Sequence, residues 1–128
     1  MKKVIISEKA PKALGPYSAA IETDFFVYTS GQLGLDPVSG DLVKGGVEAE
    51  THQALKNLRE VLKSAGLNLD SVVKTTVFLK DINEFSSMNK IYGEYFTSEP
   101  PARSAFQVAA LPKDASVEIE AVAVKKNN

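Results

Sequence analysis

The 128-residue chain contains no cysteine, no tryptophan and a single histidine. Without Cys there is no disulfide, no thiolate nucleophile, no zinc–thiolate site and no iron–sulfur cluster. One His cannot furnish a two-His metal site, and scattered carboxylates hold hard cations weakly, so no metal is expected. Neither charge is in excess: 15 Lys and Arg stand against 16 Asp and Glu, for a net charge of −1. A nucleic-acid-binding surface usually shows as a basic excess, so no nucleic-acid partner is expected. Basic residues are scattered, apart from Lys2-Lys3 and Lys125-Lys126, which read as solvated ends. No apolar run approaches the roughly 20 residues that span a bilayer. The N-terminus also lacks the apolar core of a secretion signal. These absences predict a soluble, cytoplasmic protein without membrane association. The length predicts one domain over residues 1–128, large enough to bury a core without staples.

What is present is alternation and periodicity. Phe25 to Ser30 is β-branched and aromatic and predicts a strand. The turn Asp36-Pro37-Val38-Ser39-Gly40 reverses it toward a short strand at Leu42-Val43, and weaker strands are predicted at Val4–Ile6 and Ala19–Ile21. From Val47 to Ala65, apolar residues recur at the spacing of one buried helical face, and Gly66 stands where a left-handed C-terminal residue belongs. His52 falls among polar positions and reads as exposed and without function. Val72 to Lys80 is the clearest strand, with Val73, Thr75, Val77 and Leu79 on one face. Asp81-Ile82-Asn83-Glu84 reads as a capping box. It opens a second helix that buries Phe85, Met88, Tyr92, Tyr95 and Phe96 and ends before Pro100-Pro101. Strands at Arg103–Ala110 and Val117–Val124 close the chain, with Leu111 to Asp114 between them.

This order predicts an α+β domain in which two helices cover one face of a sheet. Along the last strand, Glu118, Glu120, Val122 and Val124 share the face opposite Val117, Ile119 and Ala121. Two such residues are apolar on the face the helices leave open, where a wet antiparallel sheet would stay polar. That face is expected to be buried in an oligomer, most simply a closed ring.

Few side chains remain for chemistry. Arg103 begins a strand among small neighbours, a rigid mount for a guanidinium that grips a carboxylate by two parallel hydrogen bonds. Glu118 and Glu120 lie amid Val and Ile, where a carboxylate is either paired or poised for acid–base work near neutral pH. Spacing alone favours a structural Arg–Glu pair across adjacent strands. Gly31, between Ser30 and Gln32, reads as a bulge or as a point of close approach by a ligand. Tyr17, after Gly15-Pro16, reads as core packing. Asn89, near Met88 and Tyr92, needs a partner and reads as a cap for nearby backbone.

Five segments in this order resemble the Rid family, also called YjgF or L-PSP. They are Ala10-Pro11 through Gly15-Pro16-Tyr17; Thr29-Ser30-Gly31-Gln32; Val73 through Asp81; Pro101-Ala102-Arg103-Ser104; and Leu111-Pro112-Lys113 with Val117 through Ala123. The resemblance runs from about Ala10 to Val124. It implies a chorismate-mutase-like fold of the bacterial type, with a mixed sheet, two helices on one face, and a homotrimer whose sites lie between subunits. It also implies hydrolysis of 2-imino acids such as 2-iminobutanoate and 2-iminopropanoate to 2-oxo acids and ammonia, without metal or organic cofactor. The imines would come from pyridoxal-phosphate dehydratases acting on serine and threonine. By this resemblance Arg103 binds the substrate carboxylate, Glu118 positions or activates water, and Tyr17, Ser30, Gly31 and Asn89 line the cleft. Family members often carry Cys where this chain has Ala105. A backbone contact survives that change and thiol chemistry does not. Two alternatives stand beside the imine deaminase: an endoribonuclease or translation initiation inhibitor, as some relatives were described, and a non-catalytic binder of small carboxylates.

Overall fold

The structure is a computed structural model that describes residues 1–126. In chain order it contains strands β1 (Lys3–Ile5), β2 (Ala20–Glu22), β3 (Phe26–Thr29) and β4 (Gln32–Leu33) and helix α1 (Gly46–Ser64). Strand β5 (Val72–Leu79), helix α2 (Phe85–Tyr95), and strands β6 (Ala102–Gln107) and β7 (Val117–Val124) follow. One mixed sheet runs β1-β2-β3-β7-β5-β6, with β4 also on β7. Among the described residues only the β5–β6 pair is parallel, joined through α2 as a crossover. The expected mixed α+β arrangement is present.

The core forms where two periodicities meet. Along β7, Val117, Ile119, Ala121 and Ala123 are buried and the intervening residues are not, the period of two that a half-covered strand requires. The buried stripe of α1 (Val47, Thr51, Ala54, Leu55, Leu58, Val61 and Leu62) faces them. Helix α2 adds Met88 and Tyr92 to the same core, and the Tyr92 hydroxyl meets Thr75 Oγ1 at 2.7 Å. Thr75 is paired with Ala121, so both helices lie on the same side of the sheet. Gly66 ends α1 as read: its φ is +76°, and Leu67 N–H donates to Leu62 O while Gly66 N–H donates to Lys63 O. Those two bonds satisfy carbonyls that the helix end would otherwise leave bare.

The structure corrects several expectations. Leu42 makes only a single bridge to Leu35, not a strand with Val43. A bulge between Val72 and Lys74 reverses the alternation at the start of β5, so Val72 is buried and Val73 exposed. Asp81 accepts from Asn83 N–H and opens a single 3-10 turn, so the capping box is half made. Lys125 is not a free end: its ammonium lies 2.9 Å from Glu22 and also bonds Thr23 O. Strand β6 stops at Gln107 and pairs with β5, not with β7. That last difference reorganises the site.

Candidate active site

Because β5 stands between β6 and β7, Arg103 and Glu118 cannot form a cross-strand pair. Arg103 pairs with Thr75, and Glu118 pairs with Phe78, three residues along the same strand. Alternation therefore places the two side chains on opposite faces of the sheet. The seven candidate residues divide accordingly into two half-sites.

The first gathers Arg103, Asn89 and Ala105 on the helix side. The Arg103 guanidinium donates to Asn89 Oδ1 at 2.7 Å. It lies over two rings of α2, 4.7 Å from the centre of Tyr92 and 5.3 Å from that of Phe85. Each face contact of this kind contributes about 0.5–1 kcal/mol where solvent reaches it and fixes the plane of the cation. Phe85, Asn89 and Tyr92 are spaced four and three apart, one face of a helix. Asn89 therefore caps no backbone; it is exposed and serves Arg103. Burial holds the Tyr92 phenol above its usual pKa, so the ring beside the guanidinium stays neutral. Ala105, two residues along β6 on the same face, packs against the core. A cleft of about 390 Å³ opens here between Arg103, Asn89, Tyr92, Phe96 and Pro100-Pro101. The roles of Phe85 and Tyr92 are hidden in sequence because aromatic residues on a helical stripe read as core. The available sign was an Asn set between them.

The second half-site gathers Glu118, Gly31, Ser30 and Tyr17. A Cβ on Gly31 would stand 2.5 Å from Glu118 Oε2 and 2.8 Å from its Cγ, so the glutamate lies flat on this glycine. Gly31 is both bulge and seat: Thr29, Ser30 and Gly31 stand opposite only Glu120 and Ala121 where β3 gives way to β4 along β7, and the Glu118 side chain fills the space beside the glycine. Ser30 Oγ donates to Ser18 O at 2.6 Å and Ser30 N–H to Ala19 O at 2.9 Å, which holds the turn leading into that seat. Tyr17 is no core residue: it is 51% exposed, and its hydroxyl accepts from Leu14 N–H. A cleft of about 270 Å³ joins Tyr17, Gly31 and Glu118, with Leu14 and Leu35 as apolar wall and Lys12 and Lys113 at its side. The Glu118 carboxyl is raised above its ordinary pKa, first by burial and then by the charge of Glu120 on the same face of β7. A carboxylate so placed accepts a proton more readily than a solvated one.

His52 also departs from its reading. It is partly buried, and its Nδ1 lies 3.0 Å from the Tyr95 hydroxyl, a bond between the two helices away from both half-sites. Among the described residues no group of three or more His, Asp or Glu is placed to hold a metal ion.

The family model described as Endoribonuclease L-PSP matches residues 7–125. The chain belongs to the Rid (YjgF/L-PSP) family. A mouse relative described as 2-iminobutanoate/2-iminopropanoate deaminase is 58% identical to this Rid chain, over 98% of it and 93% of the mouse protein. Among solved structures, a Rid-family protein from Yersinia pestis is 48% identical, superposes with a TM-score of 0.94, and covers 98% of this chain and all of its own. The E. coli protein TdcF, solved with bound serine, is 37% identical with a TM-score of 0.92, covering 97% of this Rid chain and 99% of its own.

Proposed function

We propose that the protein is a cytoplasmic 2-imino acid deaminase that hydrolyses 2-iminobutanoate and 2-iminopropanoate to 2-oxo acids and ammonia. The observation that carries this reading is the half-buried, pKa-raised Glu118 seated on Gly31, in a cleft that leaves room for a small molecule. The deaminase name of the mouse relative and the serine bound to TdcF support a small, amino-acid-like ligand.

In this reading Arg103 clamps the substrate carboxylate with its planar fork and so fixes the C=N carbon. Glu118 holds a water against that carbon and takes its proton as the C–O bond forms. The imine nitrogen enters protonated, so this addition gives the neutral carbinolamine. Glu118 then returns the proton to nitrogen as the C–N bond breaks and takes up the hydroxyl proton as the C=O bond forms, releasing ammonia and the 2-oxo acid. Imines already hydrolyse in water, so one acid–base group, contributing typically about 10²–10⁴-fold, suffices with positioning. No step calls for a metal or cofactor.

Arg103 and Glu118 face opposite sides of one sheet, so the site is completed by Arg103 of one copy and Glu118 of the next. The open sheet face carries Val4, Phe26, Tyr28, Phe106 and Val124, all exposed in the isolated chain. Apolar side chains on such a face favour association. The proposed assembly is a closed homotrimer of chorismate-mutase-like subunits with three shared sites.

The test generates 2-iminobutanoate in situ and follows its loss. Wild type is expected to outpace buffer, Arg103→Ala to lose turnover, and Glu118→Ala to retain ligand binding but lose rate. A wild type no faster than buffer overturns the enzyme and leaves a carboxylate binder. RNA cleavage that survives repeated purification and Arg103→Ala would favour the ribonuclease.

A further inference from the structure

Besides Thr51, whose hydroxyl donates back to Val47 O within the helix, the core-facing side of α1 carries two polar residues that packing does not ask for. Glu50 is 6% exposed and Asn57 only 1%. A buried polar group costs about 1–3 kcal/mol when its hydrogen bonds are not replaced, so the bonds these two make show what they hold. Asn57 Nδ2 donates to Leu33 O at 3.1 Å and to Leu35 O at 2.9 Å, and Gln53 Nε2 donates to Asn57 Oδ1 at 2.8 Å. Gly34, between the two gripped carbonyls, lies so close to α1 that a Cβ would stand 2.6 Å from the Cα and O of Glu50. Glu50 Oε1 in turn accepts from Ser116 N–H at 2.8 Å.

Both grips converge on one residue. Leu33 is paired with Glu118 across β4 and β7. Gly31, the seat of the Glu118 side chain, precedes Leu33 by two residues, and Ser116 precedes Glu118 by two. Glu50 and Asn57 are seven residues apart, two turns along one face. The helix thus holds each of the two strands that meet at Glu118, Asn57 gripping the β4 side and Glu50 the β7 side. Neither touches the Arg103 half-site, which α2 supports.

We infer that Glu50 and Asn57 are positioning residues for the Glu118 carboxylate: they fix β4 against β7 and thereby keep Gly31 beneath it. The inference rests on the reading of Glu118 as the acid–base group. Its signature is selective. Loosening either grip displaces the proton acceptor and spares the carboxylate clamp, so kcat falls while KM holds.

The experiment compares Asn57→Ala, Glu50→Ala and Glu50→Gln with Glu118→Gln in the whole protein, measuring kcat and KM for 2-iminobutanoate across pH. Asn57→Ala and Glu50→Ala are expected to lower kcat roughly 10- to 100-fold, the scale of an ångström-sized misplacement. KM should stay within about twofold, and the acid limb of kcat should move to lower pH as Glu118 gains solvent. Glu50→Gln should restore most of the rate, because its amide oxygen still accepts from Ser116. Unchanged kcat in folded variants, a rise in KM that accounts for the loss, or Glu50→Gln no better than Glu50→Ala would each overturn the inference. So would failure of both alanine variants to fold, which would make the pair scaffold residues. Full activity in Glu118→Gln would overturn the reading of Glu118 itself; an inactive Glu118→Gln beside active Asn57→Ala and Glu50→Ala sinks only this inference.

Discussion

Gly31 and Glu118 show how a backbone choice becomes a chemical one. The glutamate rests where a Cβ would be, so Gly31→Ala leaves the fold intact and pushes the carboxylate off its seat. The displaced group is the far end of a side chain and can yield, so the expected result is a folded protein with kcat lowered about 10- to 100-fold, read in the imine-loss assay. In the proposed mechanism the same carboxyl should set the pH response. Burial and Glu120 both raise its pKa, so the rate should rise with pH through a limb above the ordinary carboxylate range. Glu120→Gln removes one of the two causes and is expected to move that limb to lower pH. For stability the sign is opposite: the folded state holds this proton more tightly than the unfolded chain. Its contribution therefore turns unfavourable as pH rises through the window between the unfolded and the raised folded pKa. Denaturant titrations across that window should show the loss in wild type and not in Glu118→Gln.

At the scale of elements, positions with a repeating period were legible and positions set by pairing were not. The α1 stripe and the alternation of β7 follow from one sequence at a time, because a helix or a half-covered strand buries a fixed period. Gly66 was legible for a related reason: a helix end needs a left-handed residue, and nothing lies within 4 Å of where its Cβ would be. Gly66→Ala should therefore cost only the backbone term, about 1 kcal/mol, measured by chemical denaturation. The bulge in β5 and the choice of β5 as the partner of β6 depend on distant segments, and no local pattern announces them. That choice separated Arg103 from Glu118, residues that spacing had drawn together as an ion pair. Glu50 and Asn57 are illegible in the sequence for a complementary reason. A buried stripe shows in sequence through its apolar residues, and a polar residue on it interrupts the period without showing its partners. The resemblance to the Rid family named the members of both half-sites, while their division between two faces emerged only from register.

For the whole molecule, that division has a consequence that mixing can test. In the proposed ring, Arg103→Ala keeps the Glu118 half-site and Glu118→Ala keeps the Arg103 half-site, so each variant alone should form no complete site. Each interface of that ring would take one half from each neighbour. If the two variants are mixed at equal amounts and refolded together, an interface is whole when a Glu118→Ala copy supplies Arg103 and its neighbour, an Arg103→Ala copy, supplies Glu118. Random assembly makes that pairing in about a quarter of interfaces, so about a quarter of wild-type activity should return from two inactive parents. A site built within one chain would return none, since every chain in the mixture lacks one of the two groups. The apolar residues of the open face make the exchange conditional: substituting Tyr28 and Phe106 with charged residues should yield monomers by light scattering. Those monomers should retain the fold yet show no turnover, because each carries both halves on faces that cannot meet.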